Sequence, residues 1–149
     1  MAAAEQRSTS CPGLTRPPPE GRARKRWAVL IPILVCAAAP TIDWSSAQQV
    51  DLVMNDYHFV PDHLTFQHGT AYRLHLINQG KELHEFTAPA LFAAATVRDP
   101  KVLVSGGHEV SVPPGGSVDV DFVPNRAGSY DLTCADHDWA GMVGKILVK

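Results

Sequence analysis

Cys134, His137 and Met142 fall within the nine-residue segment Cys134-Ala-Asp-His137-Asp-Trp-Ala-Gly-Met142. This puts a thiol, an imidazole and a thioether at x2 and x4 spacing. A second imidazole, His84, lies far upstream. Two imidazoles, one thiolate and a weak axial thioether are the donor set of a blue-copper electron-transfer site. Cu(I) and Cu(II) prefer different geometries, and this donor set suits both, so little atomic movement accompanies the gain or loss of an electron. In this reading His84, Cys134 and His137 form a trigonal plane and Met142 is the distant axial ligand. The bound metal holds the thiolate deprotonated, so no neighbouring base is needed. Four protein ligands leave no open position for a substrate, which argues against an enzyme. The sequence also has no His-x-His pair and no His-Cys-His segment of the kind a multicopper catalytic cluster requires.

The other histidines have plainer readings. His58, His63 and His68 recur every five residues, a spacing that alternates faces on a strand, and read as surface residues. His75 lies opposite Leu74 and Leu76, and His108 follows the turn pair Gly106-Gly107. Trp139, inside the ligand segment, reads equally as a docking contact or as loop packing. Asp136 and Asp138 flank His137 and would favour Cu(II) electrostatically.

The elements that must hold these residues are mostly strands. Tyr72, Leu74 and Leu76 alternate with Arg73 and His75, and Val118, Val120 and Phe122 alternate with Asp119 and Asp121. Tyr130, Leu132 and Cys134 share one face, as do Gly144, Ile146 and Val148. This period of two marks half-buried strands. Further strand candidates are Val50–Met54, His63–Gln67, Lys101–Val104 and Glu109–Val112, separated by Gly- and Pro-containing turns. Only Ala88–Thr96 reads as helical. The fold class is therefore all-β: an antiparallel Greek-key β-sandwich of seven to eight strands with one short helical segment. His84 would follow the strand Ala71–Asn78, Cys134 would end the strand Gly128–Cys134, and Met142 would open the last strand, with Gly141 allowing a tight turn beside it.

The first 47 residues read as separate from this domain. Met1–Gly21 is rich in Ala, Ser and Pro and reads as a disordered tail. Arg22, Arg24, Lys25 and Arg26 then precede an apolar run, Trp27–Ala39, and Ser45-Ser46-Ala47 is a small-x-small site. This is the pattern of a secretory signal peptide, with cleavage after Ala47, or of an uncleaved N-terminal anchor, and predicts export, to the periplasm or otherwise out of the cytoplasm. The domain would be residues 48–149, in which Cys134 is the only cysteine. A lone thiol in an exported protein cannot pair internally, and metal ligation is a reason to keep it. Residues 48–149 carry seven Lys/Arg and twelve Asp/Glu, a net charge of −5, against −2 for the whole chain. That balance disfavours nucleic acid and anionic membrane surfaces and suits a basic partner surface.

The chain resembles the cupredoxins, in particular the small plastocyanin- and pseudoazurin-like proteins. The resemblance rests on Asp56-Tyr-His-Phe59-Val-Pro61-Asp-His-Leu64, on Asn78-Gln-Gly80 with His84-Glu85-Phe86, and on the Cys134-x2-His137-x4-Met142 loop. It implies one type 1 copper, a monomeric electron carrier, and a redox partner, a cytochrome or copper enzyme, docking near an exposed His137. In those relatives an Asn commonly follows the first ligand His and ties the ligand loops through the residue before the Cys. Here those positions are Glu85 and Thr133, and Asp136 stands where a Pro commonly precedes the loop His. Two functions are in view: a periplasmic one-electron carrier, and a copper-delivery protein of the same fold that supplies a client oxidase. Cys134 favours the first, since delivery sites are commonly open and rich in Met and His.

Overall fold

The computed structural model describes residues 41–149. The tail and signal reading therefore lies outside the described residues, apart from residues 41–47. Ten strands are found among the described residues. The first sheet runs β2 (His58–Val60), β1 (Gln48–Asn55), β4 (Tyr72–Asn78), β8 (Ser117–Pro124) and β6 (Ala95–Val97). The second runs β3 (His63–Phe66), β10 (Val143–Val148), β9 (Gly128–Thr133), β5 (His84–Thr87) and β7 (Glu109–Val112). Most pairings are antiparallel, but β1 runs parallel to β4 and β3 parallel to β10.

The alternation seen in the sequence is the alternation of burial. Along β4 every second residue from Tyr72 to Asn78 is buried, and along β10 Gly144, Ile146 and Val148 are buried between exposed neighbours. The inner faces meet in one apolar core that includes Leu52, Leu74, Leu76, Phe86, Val120, Leu132 and Ile146. Phe66 packs edge-on against Tyr72 and Phe122 at centroid separations of 4.8 and 5.1 Å, and those two rings lie tilted to each other at 6.1 Å. Such pairs add about 0.5–1.5 kcal/mol beyond the area they bury.

Local chemistry explains where the strand reading differs. The count rises to ten because short strands such as β2 and β6 have too few residues to show a period. The helical stretch is only α1 (Pro89–Ala93), and Ala95 and Thr96 instead pair with Pro124 and Val123 of β8. Lys101–Val104 is not a strand. Pro100 opens a 3-10 turn over Pro100–Val102, and the Asp99 side chain caps it by accepting the Lys101 N–H at 3.1 Å. Only Val104 keeps a single β-bridge, to Glu109. No helix among the described residues is long and apolar enough to cross a membrane.

Candidate metal centre

β10, β9 and β5 are consecutive in the second sheet, and His84, Cys134 and Met142, three of the expected donors, stand at one end of these three strands. His84 opens β5, Cys134 follows the last residue of β9, and Met142 immediately precedes β10. The β9–β10 connection is a loop closed by its own backbone. Cys134 N–H donates to Met142 O at 3.0 Å, His137 N–H to Cys134 O at 3.2 Å and Met142 N–H to His137 O at 3.2 Å. Within it Asp138–Ala140 forms a 3-10 turn that ends at Gly141, whose φ of 90° is left-handed and favours glycine. The loop geometry thus follows from sheet register on both sides and one glycine between.

His84, Cys134 and His137 come together, with one potential ligand atom from each lying within 4.8 Å of the others. The Cys134 Sγ stands 3.8 Å from His84 Nδ1 and 3.3 Å from His137 Nδ1. Metal–nitrogen and metal–thiolate bonds of about 2.0–2.3 Å, roughly 100–120° apart, hold N and S about 3.3–3.8 Å from each other. The two sulfur–nitrogen separations therefore fit one ion shared by Cys134 with each imidazole. His84, Cys134 and Met142 are fully buried. Burial, followed by the Glu85 carboxylate, pushes the Cys134 thiol up to about 11. A metal taken up here must displace that proton.

Carboxylates surround the donors. Glu85, itself buried, places Oε2 2.9 Å from the Cys134 sulfur and accepts the Asp136 N–H at 3.4 Å. It thereby joins β5 to the ligand loop through Asp136 and Cys134, while Thr133 pairs across the sheet with Thr87. The ring nitrogen Nε2 of His84 is buried without a hydrogen-bond partner among the described residues and lies 3.6 Å from Asp56 Oδ1. The Lys81 backbone N–H, and then His84, hold the Asp56 carboxyl below its ordinary value.

His137 is not the exposed edge that the family resemblance implied. It is only 8% exposed. Glu82 Oε2 lies 2.8 Å from its Nε2, and the Tyr57 ring packs against it at a centroid distance of 5.3 Å. The exposed aromatic is Trp139, 78% accessible, with Nε1–H donated to Asp136 O at 2.9 Å. His58, His63, His68 and His108 are exposed, and the half-buried His75 is bonded to Asp119 at 2.5 Å. None of them joins a metal-binding group among the described residues. Sequence reading missed Glu82, Asp56 and Tyr57, whose only signal was their place in turns beside strand ends.

A family model for the cupredoxin-like domain matches residues 27–148. The chain belongs to the cupredoxin-like family. Solved structures of similar fold include auracyanin B, at 22% identity and a TM-score of 0.53 over 69% of this chain and 89% of that one. The dithionite-reduced auracyanin of the photosynthetic bacterium Roseiflexus castenholzii matches at 15% identity and a TM-score of 0.52, over 69% of this chain and 98% of that one. The multicopper oxidase McoA of Aquifex aeolicus matches at 14% identity and a TM-score of 0.54, over 76% of this chain but 32% of the oxidase. At these identities the likeness is one of fold. No curated protein sequence matches the chain. The family together with the His84, Cys134 and His137 group makes one type 1 copper ion the cofactor of this cupredoxin.

Proposed function

We propose that this cupredoxin is an exported one-electron carrier whose copper is held by His84, Cys134 and His137, with Met142 as the weak axial ligand. Copper supplies a one-electron redox couple at a site of this kind. The protein's part is to hold the donors still and keep water out. Three adjacent strands fix His84, Cys134 and Met142 at one end of a rigid sheet, and the loop hydrogen bonds fix His137 relative to Cys134. A site held this way needs little reorganisation between redox states.

The observation that carries the reading is the separation of the donors. Nδ1 of His84 and Nδ1 of His137 stand 3.8 and 3.3 Å from the Cys134 sulfur, all three residues buried, so that one ion could be shared by the three groups. The leader pattern supports export to the periplasm, and the acidic balance of residues 48–149 supports docking to a basic face of a redox protein. The exposed Trp139 beside the ligand loop supports that end of the sandwich as the docking face.

Cyclic voltammetry of the copper-loaded protein tests this. A single reversible one-electron wave, with copper retained through both redox states against a competing chelator, is the expected result. Loss of copper on reduction would instead favour delivery of the metal to a client.

A further inference from the structure

We propose that Glu82 is a positioning residue for the copper centre: its carboxylate accepts the Nε2–H of His137, commits Nδ1 to the metal and biases the site toward Cu(II). The inference rests on the type 1 reading above. Its structural basis is a chain of fixed contacts that begins inside the core. Asn78, the last residue of β4, is 1% exposed. Its Nδ2 donates to Glu82 O at 2.8 Å and to Val112 O at 2.8 Å, while its Oδ1 accepts the Gly80 N–H at 2.9 Å. One buried amide thus fixes the Gln79–Leu83 turn to both sheets, and with it the backbone of Glu82.

From that anchored position the Glu82 carboxylate reaches His137 Nε2 at 2.8 Å. A carboxylate is an acceptor only, so a proton lies on Nε2, and in the neutral ring that leaves the free lone pair on Nδ1. That Nδ1 is the nitrogen 3.3 Å from Cys134 Sγ. Carboxylate–imidazole–metal units of this type fix the ring tautomer and orientation and raise the basicity of the ligand. Tyr57 closes the other side of the ring. Its backbone is left-handed at φ 72°, an unfavourable state for a bulky residue, and this conformation accompanies a ring packed against His137. The imidazole is therefore clamped by an acceptor at its edge and an aromatic at its side.

The test compares wild type with Glu82→Gln and Glu82→Ala. The Glu82 side chain is more than half exposed, so neither variant should disturb the core. In the metal-free protein, nitrogen NMR of His137 is expected to report the Nε2–H tautomer in wild type and a mixture of tautomers in Glu82→Ala. In the copper-loaded protein, Glu82→Ala is expected to weaken Cu(II) binding about tenfold relative to Cu(I). For one electron that is a rise in potential of about 59 mV. Glu82→Gln keeps an acceptor but no charge, and should keep the tautomer while raising the potential. An unchanged tautomer and an unchanged potential in Glu82→Ala would overturn the proposal and leave the type 1 reading standing. A copper-loaded wild type without a blue band would overturn that reading, and the tautomer measurement on metal-free protein would still judge Glu82 separately.

Discussion

The sulfur of Cys134 meets Glu85 twice: the Glu85 backbone N–H donates to it at 3.4 Å, and the Glu85 carboxylate lies 2.9 Å away. The two contacts pull in opposite directions. The N–H stabilises a thiolate, whereas the carboxylate, after burial, keeps the thiol protonated. Glu85→Gln retains the first contact and removes the charge behind the second. Cu(II) loses a nearby negative charge, so the reduction potential should rise while the blue colour persists. Voltammetry checks this, and an unchanged potential would show that the carboxylate has no electrostatic hold on the metal.

The metal-free thiol should be inert. Cys134 is fully buried and its thiol is pushed up to about 11, so little thiolate exists at neutral pH. An aromatic disulfide reagent should react at least about tenfold more slowly with the native metal-free protein than with the unfolded chain. Equal rates would mean that the site opens readily.

Gly80 has to remain a glycine. A Cβ there would lie 2.5 Å from Asp56 Oδ1, 2.8 Å from His84 Nε2 and 3.2 Å from Asn78 Oδ1. Gly80→Ala therefore pushes on the His84 ring and on the amide that anchors the turn. The expected cost is about 1–3 kcal/mol in thermal unfolding of the metal-free protein and about tenfold in copper affinity. Wild-type values for both would place the His84 ring elsewhere.

Far from the copper, Asp121 accepts two hydrogen bonds from Arg73 and one from Arg98 at 2.8–3.0 Å, tying β4 and the segment after β6 to β8. Arg73, followed by Arg98, holds its carboxyl below the ordinary value once the smaller opposing effect of burial is overcome. A lowered folded value contributes stability above the unfolded value, and that stability is lost as the pH falls through the folded one. Asp121→Asn should cost about 1 kcal/mol at neutral pH, because both arginines are partly exposed. The gap from wild type should shrink below about pH 4. A constant gap in acid would show that packing, not charge, is responsible.

Much of the fold and site could be read from residue order because both depend on local pattern. The alternation in Tyr72–Asn78 and Gly144–Val148 is the burial alternation of β4 and β10, and the Cys134–Met142 segment is a single closed loop. The parallel pairings of β1 with β4 and β3 with β10 leave no such trace, since they join segments distant in sequence. The same is true of the carboxylates. Asp136 and Asp138 flank His137 in sequence, yet both are exposed. The carboxylates bonded to donor groups are Glu82 and Glu85, more than fifty and nearly fifty residues away from His137 and Cys134. Only folding brings them there.

Titration of the metal-free protein with Cu(II), followed by visible absorption, probes the type 1 copper site itself. The expected result is an intense blue band that saturates at one copper per chain and is absent in Cys134→Ser. A pale or colourless complex, or a blue band that survives in Cys134→Ser, would contradict it.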